Sequence, residues 1–238
     1  MVAPRLPGAF AAPRLVPCIF FSFFLSIPGL AQSQTPPNAT TAAAVDAIKI
    51  AYQRGDFDTA VSVAERAVAD SPNDALLQLW LGRAYGRKAQ AATVFSRIPL
   101  ARKCRTAFER AVALDPSSVD ARFDLLSYHM QAPGIAGGDK NVARQQAGEI
   151  LKLDTVRGHW ALAWIAEKDK DAARAESEFR KAFEADASGG RVADTHWRLA
   201  RFYERAGRKG DAKAELREAL KLNPEHAQAK KDLKRLEG

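Results

Sequence analysis

Apolar residues recur at helical spacing from Ala44 to the end of the chain, with polar residues between them. Five stretches align with one another, and each has the pattern of an amphipathic helix that stops near an Asp or Asn. They are SVAERAVADSPND, TAFERAVALDPSS, RQQAGEILKLDTV, SEFRKAFEADASG and AELREALKLNPEH. We find neither an alternating strand pattern nor an Asn-Gly hairpin signal. The pattern predicts an all-α chain built from a repeated helical unit.

The distance between equivalent positions gives the length of this unit. Ala67, Ala111, Ile150, Ala182 and Ala219 hold the same place in the five stretches and lie 44, 39, 32 and 37 residues apart. A period of this size indicates a solenoid, because one unit cannot bury its apolar face alone and several must stack.

Two short sequence elements recur inside the units. The upstream elements are Leu81-Gly82 with Tyr85, Leu199-Ala200 with Tyr203, and a looser copy, Trp160 with Ala163 and Trp164. The downstream elements are Cys104, Phe108 and Ala111; Ala175, Phe179 and Ala182; and Ala212, Leu216 and Ala219. They are similar to the L-G-x-x-Y and A-x3-F-x2-A elements of the tetratricopeptide repeat. Residues 41–238 therefore resemble that family, most strongly in the second and fifth units.

The resemblance implies an α-solenoid, a right-handed superhelix of about five tetratricopeptide-like helix pairs closed by a C-terminal capping helix. The expected units are residues 41–74, 75–118, 119–156, 157–192 and 193–226, and the expected cap is residues 227–238. Gly55 and Gly207 each lie five residues before the small residue of their unit, where a turn between two helices is needed.

Two units are longer than the others. About ten extra residues fall within Lys88–Arg102, and we expect them to lengthen both helices of the pair, with Pro99 starting the second helix. About five extra residues fall within 133–141, which has the composition of a glycine-rich loop. Repeat insertions often cluster on a binding face.

The first 31 residues differ from the rest. They carry Arg5 and Arg14 and no acid, followed by an apolar run from Leu15 to Ala31 that ends in small residues. This is the pattern of a secretory signal peptide. The alternative is an uncleaved membrane anchor, against which the shortness of the run and its two prolines argue.

Residues 32–43 are polar, small and proline-bearing, and they predict a flexible linker before a repeat domain of residues 44–238. We expect an exported protein, periplasmic or secreted, with no stable membrane insertion after the signal is cleaved. Cleavage removes Cys18 and leaves Cys104 without a partner for an internal disulfide.

The chain is basic, with 36 Lys and Arg against 28 Asp and Glu, and 47% of its residues are hydrophobic, which is too apolar for wholesale disorder. Opposite charges are mixed along the helices, as in EFRKAFEAD, and this indicates a solvated surface. Excess positive charge can favour nucleic acid. The export signal and the lack of a stacking platform argue against that partner. We expect another protein or peptide in the cell envelope as the partner, and the oligomeric state stays open.

No residue pattern points to catalysis. The histidines at 129, 159, 196 and 226 lack the spacing of metal ligands. Cys104 holds a small-residue position of its repeat, where a buried thiol acts as a small apolar side chain, and His129 is expected to pack in the core. Gly137-Gly138-Asp139-Lys140 lacks the full phosphate-loop pattern and is better explained as a turn. We expect no enzyme, no catalytic residue, no cofactor and no metal site.

The resemblance places the first helix of each pair on the concave face of the superhelix. The expected lining residues share a helix face within each unit and mix arginines with aromatic residues, a composition enriched at binding hot spots. They are Lys49, Tyr52, Leu79, Arg83, Arg87, Phe123, Ser127, Trp197, Arg201 and Arg205.

The predicted function is a protein–protein interaction scaffold or adaptor that holds an extended or helical segment in this groove. If the lining residues serve no partner, they simply solvate a concave surface. The alternative function is a small-ligand-binding or catalytic protein that uses the insertions at 88–102 and 133–141.

Overall fold

The structure is a computed structural model that describes residues 39–238. The predicted signal peptide and residues 32–38 of the predicted linker lie outside the described residues. The described part contains eleven α-helices and one short 3-10 helix, Gly134–Ala136, and no strand. The α-helices are α1 (Ala39–Arg54), α2 (Phe57–Asp70), α3 (Ala75–Ala91), α4 (Val94–Leu114), α5 (Val119–Gln131), α6 (Lys140–Leu153), α7 (Thr155–Lys168), α8 (Ala172–Ala185), α9 (Val192–Arg205), α10 (Lys209–Leu222) and α11 (Ala227–Glu237).

Each helix packs mainly against its neighbours in sequence, and helices α1 to α10 form five successive pairs. First helices also touch across units, because α1 contacts α3, α5 contacts α7, and α7 contacts α9. The chain is thus an all-α helical repeat solenoid, with the first helix of each pair along one side. None of the helices within residues 39–238 has the length and apolarity that a bilayer crossing requires.

The second helix of every pair carries a small residue where it meets its partner. These residues are Ala60, Cys104, Ala143, Ala175 and Ala212, and none is more than 3% exposed. A small side chain at a helix crossing allows the two backbones to approach closely. The repeated Ala or Cys of the sequence is therefore the contact that closes each pair.

Acidic residues between the pairs cap the helices that follow. Asp74 accepts hydrogen bonds from the backbone N–H groups of Leu76 and Leu77, and Asp154 accepts one from Arg157 N–H. A carboxylate there satisfies N–H groups that have no partner inside the helix. An Asp thus caps α3 and α7, whereas Ser118 caps α5 and α9 begins without a side-chain cap.

The turns inside the pairs include residues with left-handed backbone conformation. Gly55 and Gly207 have φ angles of 77° and 78°, as expected for turn glycines. Lys170 holds the same place between α7 and α8 and has a φ of 62° without being glycine. This turn is consequently strained in a way that the other two are not.

The structure corrects two boundaries that the sequence suggested. The prediction of a flexible linker through residue 43 is wrong for residues 39–43, because α1 begins at Ala39 and Thr41 is buried and donates a 2.9 Å hydrogen bond to Asp74. The insertion lengthens α3 and α4 to 17 and 21 residues, as predicted. Pro99, however, does not start α4, which begins at Val94. Pro99 is the sixth residue of α4, so its missing N–H leaves the helix one backbone hydrogen bond short.

Candidate functional site

The concave side holds two pockets, one on each side of α5. The first, which we call the N-terminal pocket, has a volume of about 460 Å³, and the second, the C-terminal pocket, about 260 Å³. Ser127 lines both pockets, so they adjoin each other on the side of the solenoid that carries the first helices.

Four of the predicted groove residues line the N-terminal pocket: Tyr52, Arg83, Arg87 and Ser127. The Arg83 Nε lies 2.5 Å from Asp124 Oδ2, and its guanidinium carbon lies 4.9 Å from the centre of the Trp80 ring. Burial raises the pKa of Asp124 and outweighs the opposing effect of Arg83. Arg83 is therefore held by an ion pair between α3 and α5, and Asp124 offsets most of its charge.

Arg87 is differently placed from Arg83. Its guanidinium lies 5.1 Å from the Phe57 ring centre and 5.9 Å from that of Tyr52, and it donates a 3.2 Å hydrogen bond to Gln90. Within the described residues it makes no ion pair. Arg87 keeps its charge available to a ligand of the N-terminal pocket.

Aromatic rings dominate the C-terminal pocket. Phe123 on α5 and Trp164 on α7 stack with ring centres 6.3 Å apart and an angle of 10° between their planes. Trp160 and Trp197 complete the wall. The Trp160 indole N–H donates to Thr195 Oγ1 at 3.0 Å, and the Trp197 indole N–H donates to Asp232 at 2.9 Å. These hydrogen bonds fix both indoles, so the wall is preorganised.

Three arginines of α9 reach this pocket, and they differ in their partners. Arg205 forms a two-pronged contact with Glu167, with N–O distances of 2.5 and 2.7 Å. Arg201 lies 5.3 Å from the Trp197 ring centre and has no carboxylate partner in the described residues. Arg198 is the most enclosed of the three, and burial lowers its pKa to about 10.

Two of the predicted groove residues lie away from both pockets. Leu79 is buried, 4% exposed, and packs in the hydrophobic core next to α1 and α2. Lys49 lies above Trp80, with Nζ 5.6 Å from the ring centre, and 3.5 Å from Asp46. The other predicted residues line one pocket or both: Tyr52, Arg83, Arg87, Phe123, Ser127, Trp197, Arg201 and Arg205.

Sequence reasoning missed several groove residues. Trp160 and Trp164 lie 37 positions before Trp197 and Arg201, which is the spacing of the last two units, so the repeat itself carried the signal that would have found them. Arg198 had no such signal, because the position 37 residues earlier is Ala161, a buried alanine.

The other side chains considered for chemistry lie in structural positions. Cys104 is 3% exposed, and burial raises the pKa of its thiol to about 12. His129 is buried. The Nδ1 atoms of His159 and His196 lie 2.8 and 2.6 Å from Glu178 and Glu215 on the paired helices. Within residues 39–238, no group of three or more His, Cys, Asp or Glu side chains is arranged to hold a metal ion.

Two models of the tetratricopeptide repeat match the chain, one over residues 45–103 and one over residues 193–226. This chain is a tetratricopeptide repeat protein. The matched segments cover α1 to the first half of α4, and the α9–α10 pair. They include the N-terminal pocket's Tyr52 and Arg87 and the C-terminal pocket's Arg198.

Solved structures share the fold of this tetratricopeptide repeat protein at low sequence identity. A thermophilic protein of the same repeat class from Thermus thermophilus aligns with a TM-score of 0.60 and 16% identity, over 82% of this chain and 97% of that one. Human IFIT1, solved as a dimer with PPP-AAAA, aligns with a TM-score of 0.53 and 19% identity, over 78% of this chain and 48% of that one. Such likeness concerns the fold alone. No curated protein matches the chain in sequence.

Proposed function

We propose that this tetratricopeptide repeat protein is an adaptor of the cell envelope that binds a segment of another protein in its concave groove. The tetratricopeptide fold serves in general as a protein–protein interaction scaffold. The observation that carries the proposal is the pair of adjoining pockets, which share Ser127. A segment laid along it would cross the first helices of several units.

The composition of the groove supports a protein partner. Arginine, tryptophan and tyrosine are enriched among residues that dominate binding energy at protein interfaces. Here Arg87 and Arg201 keep charges without carboxylate partners in the described residues, and Trp160 and Trp197 present fixed apolar walls. Such a surface suits a segment that combines apolar and acidic side chains.

The envelope location rests on the N-terminal sequence. Arg5 and Arg14 precede an apolar run that ends in small residues, as in an export signal. Cell fractionation of a C-terminally tagged chain tests this part of the proposal. Recovery of the tagged chain in the cytoplasm at full length would refute it.

The groove is tested by in-cell crosslinking, capture of the tagged chain and mass spectrometry of the crosslinked peptides. We expect one dominant partner with crosslinks on α3, α5, α7 and α9. The double variant Arg87→Glu/Arg201→Glu should reduce capture by roughly tenfold or more, since it places acids where the groove is basic. Arg83 is a poor choice for reversal, because a glutamate there would lie beside the buried Asp124.

The matched control is Arg180→Glu. Arg180 is an exposed arginine on α8, the second helix of its pair, and makes no ion pair within the described residues. We expect this change to leave capture intact. Equal loss with the control and with the groove variant, or crosslinks confined to the second helices, would refute the groove.

A second candidate function, small-ligand binding, is favoured by the N-terminal pocket. Gln90, Arg97 and Ala101 from the first insertion and Pro133 from the second line it. Its volume of about 460 Å³ lies within the size range of small-ligand sites. A thermal-shift screen with nucleotides, metals and envelope metabolites tests this function. A stabilisation of several degrees that Arg97→Ala abolishes would support it over the adaptor role.

A further inference from the structure

We propose that the C-terminal pocket anchors the bound segment through a carboxylate, with Arg198 as the group that receives it. This inference rests on the proposed function, and it names the chemistry that the partner must present. The ligand group is an Asp or Glu side chain, or a C-terminal carboxylate, next to an apolar residue.

Arg198 is enclosed and lacks a partner. Its guanidinium carbon lies 4.3 Å from the Trp160 ring centre, 5.5 Å from that of Trp197 and 5.9 Å from that of Phe123. Its Nε is buried and makes no hydrogen bond, and the residue forms no ion pair with any described residue. Enclosing an unpaired charge costs free energy, so a pocket that keeps an unpaired arginine is suited to bind an anion.

The charges around Arg198 favour an anion as well. Glu167 is the acid among the residues that line this pocket in the described part of the chain, and Arg205 already holds both of its oxygens. Asp194 lies one turn before Arg198 but accepts from His226 Nε2 at 3.0 Å. Arg157, whose charge also acts on Arg198, is paired with Asp120. The charge of Asp194 acts on Arg198 without an ion pair between them, so Arg198 and Arg201 are left without a paired carboxylate in the described residues.

The guanidinium carbon of Arg198 lies 4.3 Å from the Trp160 ring centre, so the terminal N–H groups are the donors to consider for a ligand. A guanidinium that lies over an indole uses its face for the ring, and its N–H groups point outward in the plane, where a carboxylate can accept two of them. The rings around it can take the aliphatic stem of an acidic residue and an apolar neighbour. The site thus combines a planar double donor with an apolar wall.

The size of the pocket selects a side chain over a larger ligand. Its volume of about 260 Å³ is below the roughly 300–1,000 Å³ that is typical of pockets for drug-sized ligands. A nucleotide would leave most of its surface outside. The chain's own N-terminal segment is a poor occupant, because its first acidic residue is Asp46, which is already part of α1.

The test selects 12-residue peptides from a random display library on the purified chain and measures their Kd by fluorescence anisotropy. We expect the selected peptides to share an acid at one position beside an apolar residue. Replacing that Glu by Gln in the peptide should weaken binding by roughly tenfold or more. The variant Arg198→Gln should bind the Glu and Gln peptides alike, and Arg198→Lys should keep only part of the preference.

The matched control Arg180→Gln should keep the full preference for the Glu peptide. If Arg198→Gln fails to fold, the Glu and Gln peptides on the unmodified chain and on Arg198→Lys still decide the question. Equal binding of the two peptides by the unmodified chain overturns the carboxylate assignment while the groove function stands. If no peptide binds at all, the groove function fails and the assignment falls with it.

Further binding experiments compare the carboxylate with other negatively charged ligands. A phosphoserine peptide that binds more tightly than the Glu peptide would overturn the choice of a carboxylate. A 5′-phosphorylated RNA oligonucleotide that binds more tightly than every peptide, and loses binding in Arg198→Gln, would overturn the choice of a protein. Self-association seen by analytical ultracentrifugation and abolished by Arg198→Gln would place the C-terminal carboxylate of a second copy in the pocket.

Discussion

Gly82 on α3 lies directly against the ring of Phe108 on α4: a Cβ added at Gly82 would be 2.5 Å from two ring carbons. The equivalent pair in the fifth unit is Ala200 on α9 and Leu216 on α10, and both residues are buried in one core cluster. Ala200 is larger than Gly82, and Leu216 is smaller than Phe108. One small and one large side chain therefore share this position in each pair, and the total volume is conserved. The pairs are Ile48 and Ala64, Gly82 and Phe108, Leu126 and Ala147, Ala163 and Phe179, and Ala200 and Leu216.

The first prediction concerns this packing. Gly82→Ala should destabilise the protein, because overpacking costs about 1–3 kcal/mol and outweighs the better helix propensity of Ala. Adding Phe108→Leu, the combination found in the fifth unit, should recover stability beyond the sum of the single changes. Urea unfolding of the two single variants and the double variant measures this coupling.

The control for that experiment is Gly148→Ala. Gly148 lies within α6, and a Cβ there meets no atom within 4 Å. This change should raise stability by about 0.5–1 kcal/mol. If Gly82→Ala raises stability as Gly148→Ala does, close packing against Phe108 is not the reason for the glycine at position 82.

The second prediction concerns the strained turn between α7 and α8. Lys170 has a φ of 62° at a place where two other units use glycine. Lys170→Gly should raise the free energy of unfolding by about 0.5–1 kcal/mol, because glycine adopts this conformation without a Cβ clash. Lys168→Gly, two residues earlier in the last turn of α7, should lower the melting temperature instead. A lower melting temperature for Lys170→Gly would contradict the assignment of strain.

The third prediction is a dependence of stability on pH that His129 causes. This side chain is 5% exposed, neither ring nitrogen makes a hydrogen bond within the described residues, and burial lowers its pKa from the ordinary 6.5. The unfolded chain therefore takes up the proton first as pH falls, and stability is lost as pH drops below about 6.5.

The variant His129→Phe removes this titration while keeping a ring in the core. Melting temperatures of both proteins between pH 5 and pH 7.5 should show a shallower slope for the variant. The charges of Glu109, Asp139 and Arg105 also act on the pKa of His129. Both proteins contain these three residues, so the difference between the two slopes reports the titration of His129. Identical slopes would show that His129 does not drive the pH dependence.

The fourth prediction is that Cys104 is unreactive in the folded protein. Its thiol is buried in the contact between α3 and α4, and its pKa is raised to about 12, so almost no thiolate exists at neutral pH. A maleimide should label it only after unfolding. The control Cys104→Ala/Lys103→Cys carries an exposed thiol next to that position and should be labelled quickly in the native state. Both proteins should also carry Cys18→Ala, so that only the thiol under test can react. Equally rapid labelling of native Cys104 would contradict its burial.

The helical class and the repeat could be predicted from local sequence signals alone. The 3.6-residue periodicity, the small residues such as Ala60 and Ala212, and the turn glycines Gly55 and Gly207 are local signals, and each sets the conformation or the packing of its own helix pair. The repeat spacing also predicted Arg87 and Arg201 on the side where the structure has the two pockets, because equivalent residues of successive units point to the same face.

The partners of these side chains, by contrast, follow from the packing of the units in three dimensions. The repeat spacing predicts Leu79 in the groove, yet its side chain is buried in the core. Arg83 is neutralised by Asp124, 41 residues away, and Arg205 by Glu167, 38 residues away. Arg198 is left without a partner by the same packing. Such pairings depend on how neighbouring units are placed against each other, and no short stretch of sequence carries that information, since the interaction depends on distance and burial in space.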